Sequence, residues 1–160
     1  MTDKFFIPKL TATENPPVGF RFMVVFFLGG TVPNPLDIRF QKVSGISAEI
    51  ETTDIREGGE NLFRYSLPNH VIYNNLVLER GMVIGSPLNL EFDVAMSSMK
   101  FSPSNVLVML LNENSIPLSS WLFQRAYPVK WTISDLDANS NAVVIDTMEL
   151  AYAKFQSVRI

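Results

Sequence analysis

Residues Glu49 to Asn61 read EIETTDIREGGEN. The chain is 47 % hydrophobic and only 18 % charged, yet these thirteen residues carry five carboxylates, one arginine and two adjacent glycines. The alternation around them is clean. Ala48, Ile50 and Thr52 fall on one side of an extended chain, and Glu49, Glu51 and Thr53 on the other. This is the pattern of an antiparallel strand with a dry face and a wet, acidic face. Gly58 and Gly59 then offer a tip at which the backbone can reverse. The segment predicts a hairpin in a β fold, with charge turned to water.

Outward from this segment, other short runs rich in β-branched and aromatic residues alternate with turn chemistry. Phe20 to Leu28, Ile38 to Val43, Ile46 to Thr53, Leu62 to Leu67, Leu76 to Glu79, Val106 to Leu111, Trp121 to Ile133 (interrupted at Pro128) and Val143 to about Tyr152 read as strands. Pro68-Asn69 reads as a turn, with His70 just beyond it. About eight short strands at this spacing predict a small antiparallel β-barrel or sandwich. Between Ser86 and Met99 two patterns compete, because Leu88, Leu90, Phe92, Val94 and Met96 alternate while Leu88, Phe92, Ala95, Met96 and Met99 make a helical stripe. Ser86 followed by Pro87 decides for one flanking helix, as an N-cap and a proline at the first helical position. Val106 to Leu111 is apolar on both faces, so its second face needs a cover, either that helix or another subunit.

At 160 residues the chain is long enough for one domain with a real core. Residues 1–15 end in the Asn15-Pro16-Pro17 breaker and read as an arm; residues 16–160 read as the domain. The absence of cysteine removes disulfides, thiolate nucleophiles and zinc-thiolate sites, and suits a reducing cytosol. The N-terminus lacks the basic start and apolar run of a signal peptide, and Phe22 to Leu28 is too short to span a bilayer, so no membrane anchor is expected. With a net charge of −3 and its basic residues scattered, the chain lacks the footprint of a nucleic-acid binder.

The motifs that could carry chemistry mostly fail on their own terms. Asp135, Asp137, Asn139, Asn141 and Asp146 fall at positions one, three, five, seven and twelve of an EF-hand loop. Ser140 replaces the glycine at position six, a short Asp replaces the bidentate Glu at twelve, and the flanks WTIS and VVIDT read as strands. A polar turn between strands is the expectation. His70 is the only histidine, and no Gly-x-Ser-x-Gly elbow accompanies it. The paired carboxylates of the opening stretch alternate with apolar residues along an open strand, whereas acid-base chemistry needs a partly desolvated cleft. No enzyme, cofactor or metal site is expected.

Taken in order, the segments PVGFRF (17–22), FQKVSGISAEIET (40–52), EGGEN (57–61), LVLERG (76–81), Val106 to Glu113, AYPVKW (126–131) and SDLDA (134–138) through MELAY (148–152) are similar to the tail-tube protein family of contractile phage tails and the related extracellular contractile injection systems. The similarity runs from about Pro16 to Phe155, and departs at Leu90, where an aromatic is expected, and in the N-terminal arm. It implies a small β-barrel with one flanking helix, resembling the haemolysin co-regulated protein of type VI secretion. Such subunits form hexameric rings that stack on themselves or on a paralogous tube protein into a hollow tube, either as the bulk tube or as the initiating ring next to the baseplate. It implies sheath and baseplate proteins as partners and DNA or protein cargo in the lumen, without sequence-specific nucleic-acid binding. Assembly in the bacterial cytoplasm, and a final place in a phage tail or released injection particle, follow from the same resemblance. Under it, Glu49, Glu51, Asp54, Arg56, Glu57, Gly58, Gly59, Glu60 and Asn61 are lumen-facing or make inter-ring contacts. A monomeric β-barrel that binds a small ligand is the alternative.

Overall fold

The computed structural model describes residues 21–28, 32–34, 39–55, 58–59 and 65–158. The predicted arm, residues 1–15, lies outside them. Ten strands and one helix follow along the described residues: β1 (Phe22–Leu28), β2 (Val32–Pro33), β3 (Lys42–Ser44), β4 (Ala48–Ile55), β5 (Tyr65–Tyr73), β6 (Leu76–Gly81), α1 (Pro87–Ser98), β7 (Ser104–Leu111), β8 (Pro117–Ile133), β9 (Ile145–Ala151) and β10 (Lys154–Val158). Every pairing is antiparallel. The main sheet runs β2-β1-β7-β8-β9-β6-β3, with β10 also on β8; β4 and β5 form a separate two-stranded sheet.

Strand β8 joins two halves of the main sheet. Its first part, to Ala126, pairs with β7, and Tyr127 to Ile133 pairs with β9. Between the two parts Arg125 takes a positive φ of 56°, and its N–H donates to Asn105 Oδ1 at 3.2 Å. A β-bulge of this kind bends a strand and sharpens its twist. The sheet therefore folds over one core in which Val24, Phe26, Val106, Val108 and Phe123 of one half meet Leu76, Leu78, Met148 and Leu150 of the other. Pro128, where an interruption is expected, sits instead at a second register shift within the continuous strand.

The helix begins where Ser86 and Pro87 place it. The Ser86 hydroxyl accepts from the Asn89 N–H at 3.4 Å, and Leu88, Phe92 and Ala95 are buried at helical spacing. The stripe is narrower than predicted, since Met96 and Met99 are exposed. A buried polar cluster locks the N-terminal end of α1 to the sheet. Arg80 and Asp146 lie opposite each other across β6 and β9, 2 % and 0 % exposed. Arg80 Nη2 donates to Ser86 Oγ at 2.8 Å and Asn89 Oδ1 at 2.7 Å, and Asn89 Nδ2 donates to Asp146 Oδ2 at 3.5 Å. Burying such charges is tolerable only with partners of this kind. The helix covers the inward side of β7, so the outward Leu107, Met109 and Leu111 stay half-buried. It is not the cover expected for that second face.

Two strands went unread in the sequence. β2 has two residues, and β10 follows a bend at Ala153 with a single apolar inward residue, Phe155.

Candidate functional site

The β4–β5 hairpin stands apart from the core. It is rooted by a sharp connection at Gly45, which adopts φ +85°, and a Cβ there would lie 2.0 Å from the Asn75 carbonyl oxygen. Asn74 Nδ2 donates to Ser47 Oγ at 2.7 Å, closing the base. On β5, Tyr73 packs its ring against Tyr152 and Phe155, at centroid distances of 5.7 and 5.6 Å. Beyond that anchor, every residue of β4 and every residue of β5 up to Ile72 is exposed.

This corrects the expectation of a dry face packed on the core. Ile50 is 59 % exposed, and Ile55, Tyr65, Leu67, Val71 and Ile72 are exposed with it. The apolar character also changes sides along the hairpin. Near the base, Ala48 and Ile50 share a face with Val71 and Tyr73; near the tip, Thr53 and Ile55 share the opposite face with Leu67 and Tyr65. The change falls at a β-bulge. Ile50 pairs with Val71 but Thr52 with Pro68, so Asn69 and His70 together oppose Glu51.

The bulge also explains Pro68-Asn69-His70, which is no turn. A proline cannot donate to a ladder and is confined to edges and bulges, and β5 is both an edge strand and bulged here. His70 lies in the strand, with Nδ1 3.1 Å from Glu51 Oε2, and Asn69 Nδ2 donates to the same oxygen at 3.3 Å. The proline was the readable signal, but a bulge and a turn look alike without a partner strand.

Of the sequence-predicted site residues, Glu49 and Glu51 share one face of β4, and Asp54 points from the other, where its Oδ1 accepts from Ser66 Oγ at 2.6 Å. Gly58 and Gly59 form an exposed turn; Gly59 has φ +109°, and a Cβ on either would meet nothing within 4 Å. Arg56, Glu57, Glu60 and Asn61 lie outside the described residues.

The EF-hand-like loop is divided. Asp146 is fully buried on β9, and Asp137 Oδ1 accepts from the Asn139 N–H at 2.9 Å, an Asx turn. Among the described residues no three His, Asp or Glu side chains converge on a metal position, and no helix is long and apolar enough to cross a membrane. Among the described residues one ionisable group is clearly perturbed. Burial, and secondarily the neighbouring Tyr73, push the Tyr152 hydroxyl above its ordinary pKa of 10.0.

The hairpin is exposed on both faces beside a folded-over sheet that closes its own core, and comparison with protein families identifies the fold. Residues 18–156 match the family described as T4-like virus tail tube protein gp19. The chain belongs to this tail tube family. Among solved structures, the tube protein is 43 % identical to a chain of the anti-feeding prophage baseplate, described as 6-fold symmetrised; the match covers 91 % of this chain and 97 % of that one, with a TM-score of 0.84. A chain of the PVC extracellular contractile injection system, in its extended sheath-tube complex, is 21 % identical over 92 % of this chain and 95 % of that one, with a TM-score of 0.77. A type six secretion system protein is 11 % identical over 86 % and 83 % of the two chains, with a TM-score of 0.54. The last two show a shared fold. No curated protein matches. The tube protein is a structural tube subunit of a contractile injection system.

Proposed function

We propose that the tube protein forms a six-membered ring at the baseplate end of the tube, on which a shaft of a paralogous tube protein is stacked. The observation that carries this reading is the hairpin, which exposes apolar side chains on opposite faces at its base and at its tip. A lone two-stranded hairpin is marginally stable in water, and paired or covered edges are what a strand of this kind needs. Different apolar faces at base and tip fit two different neighbours, one beside the subunit in the ring and one in the next layer. Glu49 and Glu51 then face the water-filled lumen through which cargo passes, while Gly58, Gly59 and the segment Arg56 to Asn61 reach along the tube.

The baseplate position is supported by identity, 43 % to the baseplate chain against 21 % to the chain of the sheath-tube complex. The six-fold symmetry of that baseplate supports the stoichiometry. In this reading residues 16–160 are one domain and residues 1–15 an arm, the sheath and baseplate are partners, and no catalytic step is involved. The ring assembles in the bacterial cytoplasm and leaves it within the particle. Native mass spectrometry and negative-stain microscopy of the purified chain test it: rings of six are expected, and a monodisperse 18.0 kDa monomer at high concentration overturns it. Counting copies in intact particles tests the position, because a baseplate ring is scarce relative to shaft subunits and a shaft subunit is abundant.

A further inference from the structure

The two ends of strand β6 lead to exposed apolar surfaces of matching character. Beyond its C-terminal end, the loop 82–86 lies against the loop 134–144, where the Met82 N–H donates to the Val144 carbonyl at 2.9 Å. Ile84, Leu136 and Val143 project from these adjoining loops, 94 %, 79 % and 72 % exposed, with Met82, Val83 and Ile133 exposed around them. A crest of large apolar side chains is the mark of an interaction surface. A recess of about 370 Å³ opens in the second loop, walled by Leu136, Ala138, Ala142 and Val144, with Asp135 and Asp137 among its lining residues. It suits a side chain with an apolar body and a hydrogen-bond donor at its tip.

The other end of β6 leads to the hairpin. Ser44 pairs with Val77 and Ala48 with Tyr73, and equal lengths of chain intervene on the two strands, so β3–β6 and β4–β5 are one ribbon in one register. The ribbon leaves the main sheet at Leu76, whereas the crest follows Gly81, so the two surfaces stand at opposite ends of β6. Near the hairpin tip Ile55, Tyr65 and Leu67 share one exposed face. Tyr65 has the apolar body and the donor that the recess suits. Rings stacked head to tail set one end of each subunit against the opposite end of the next, a heterologous contact that repeats along an axis. Apolar surface displayed at both ends is then covered at every junction between layers.

We infer that the crest formed by the loops 82–86 and 134–144 is the seat for the hairpin tip of a second copy of this chain in the ring stacked next, with Tyr65 entering the recess and Ile55 and Leu67 covering the apolar side chains beside it. More than one ring of this chain can then lie beneath the shaft. The inference rests on the ring reading, and not on the ring's position in the tube.

The cysteine-free chain makes the test clean. Leu67→Cys and Leu136→Cys are made as separate proteins, assembled into rings, mixed and oxidised. The control mixes Leu67→Cys with Leu118→Cys, an exposed position near the start of β8, whose other end leads into the crest. Disulfide-linked dimers are expected to form about ten-fold faster in the first mixture, because a seated tip raises the local thiol concentration. Equal rates in samples that native mass spectrometry shows to contain rings overturn the inference and leave the ring reading standing, whereas absence of rings overturns both. Independently, Leu136→Asp changes an exposed side chain, so it should keep its Tm and its rings of six while reducing ring-on-ring stacks in negative stain about ten-fold. Stacking at the wild-type level, or wild-type rings that never stack, overturns the inference. A photocrosslinker at position 136 in intact particles that captures another protein and never a second copy of this chain overturns it as well.

Discussion

The folded-over sheet and the hairpin use the same apolar residue types and bury them in opposite ways. In the sheet, Leu76, Leu78, Val106, Phe123 and Met148 are 0 % exposed, whereas Ile50, Leu67 and Val71 of the hairpin are 59 %, 49 % and 45 % exposed. The sheet closes its own core through the bend in β8; the hairpin is turned away from that core at Gly45. Under the proposed ring, folding and assembly are carried by separate regions of this chain. One region buries its apolar faces within the subunit, and the other leaves them exposed.

The largest expected effect lies in the core. Phe123 touches Tyr152 and Phe155, at centroid distances of 4.8 and 5.5 Å, and Phe123→Ala should cost about 3–5 kcal/mol by chemical denaturation. Ile50→Ala removes a similar kind of side chain from an exposed place, and should change subunit stability by no more than about 0.5 kcal/mol while reducing ring or tube formation. Equal losses in the two variants would erase the distinction between the regions.

Two glycines sharpen it. Gly45→Ala places a methyl against the Asn75 carbonyl at a positive φ, and a loss of about 2–4 kcal/mol is expected, with the melting temperature as readout. The double variant Gly58→Val, Gly59→Val meets open space and carries left-handed strain at Gly59 alone, about 1–3 kcal/mol that an exposed tip can relax. It should stay soluble with near-native circular dichroism and yield short or absent tubes. Unfolding of this variant would place the tip in the core, and normal tube length would show that it makes no close contact.

The smallest effect belongs at the boundary between the regions, where Tyr152 packs under Tyr73. The Tyr152 hydroxyl is buried without a hydrogen-bond partner among the described residues, so Tyr152→Phe should be neutral or stabilising, within about 1 kcal/mol. The sign of its pH effect follows from the raised pKa. The folded state holds the proton more tightly than the unfolded chain, so its contribution is complete below pH 10.0 and is lost as pH rises through the raised value. Alkaline melting curves of the wild type should fall more steeply than those of the variant.

Most of the fold was legible from local pattern. The strands β6, β7 and β9 follow runs whose alternation survives in their burial, and the helix follows from Ser86-Pro87, because a cap and a fixed φ act within one turn. The tail tube family was legible in the same way, through turn residues and strand ends in a set order. Local pattern misled at Pro68-Asn69, where a proline that ends a strand and a proline that sits in a bulge are the same residue until a partner strand supplies the register. It was silent on β10, too short to show a period, and on the buried Arg80–Asn89–Asp146 cluster, whose members are far apart in the chain.

What the sequence determined by itself is the chemistry each segment can tolerate: alternating strands, one capped helix, a charged and glycine-hinged hairpin, and no thiol chemistry. Where those faces go was settled by long-range packing. A period-two pattern states that one face is apolar, and it cannot state whether that face meets the chain's own core or solvent, since alternation is the same in both cases. The bend at Arg125, the turn at Gly45 and the bulge opposite Glu51 are long-range events, and they send one set of apolar faces inward and leave the other exposed.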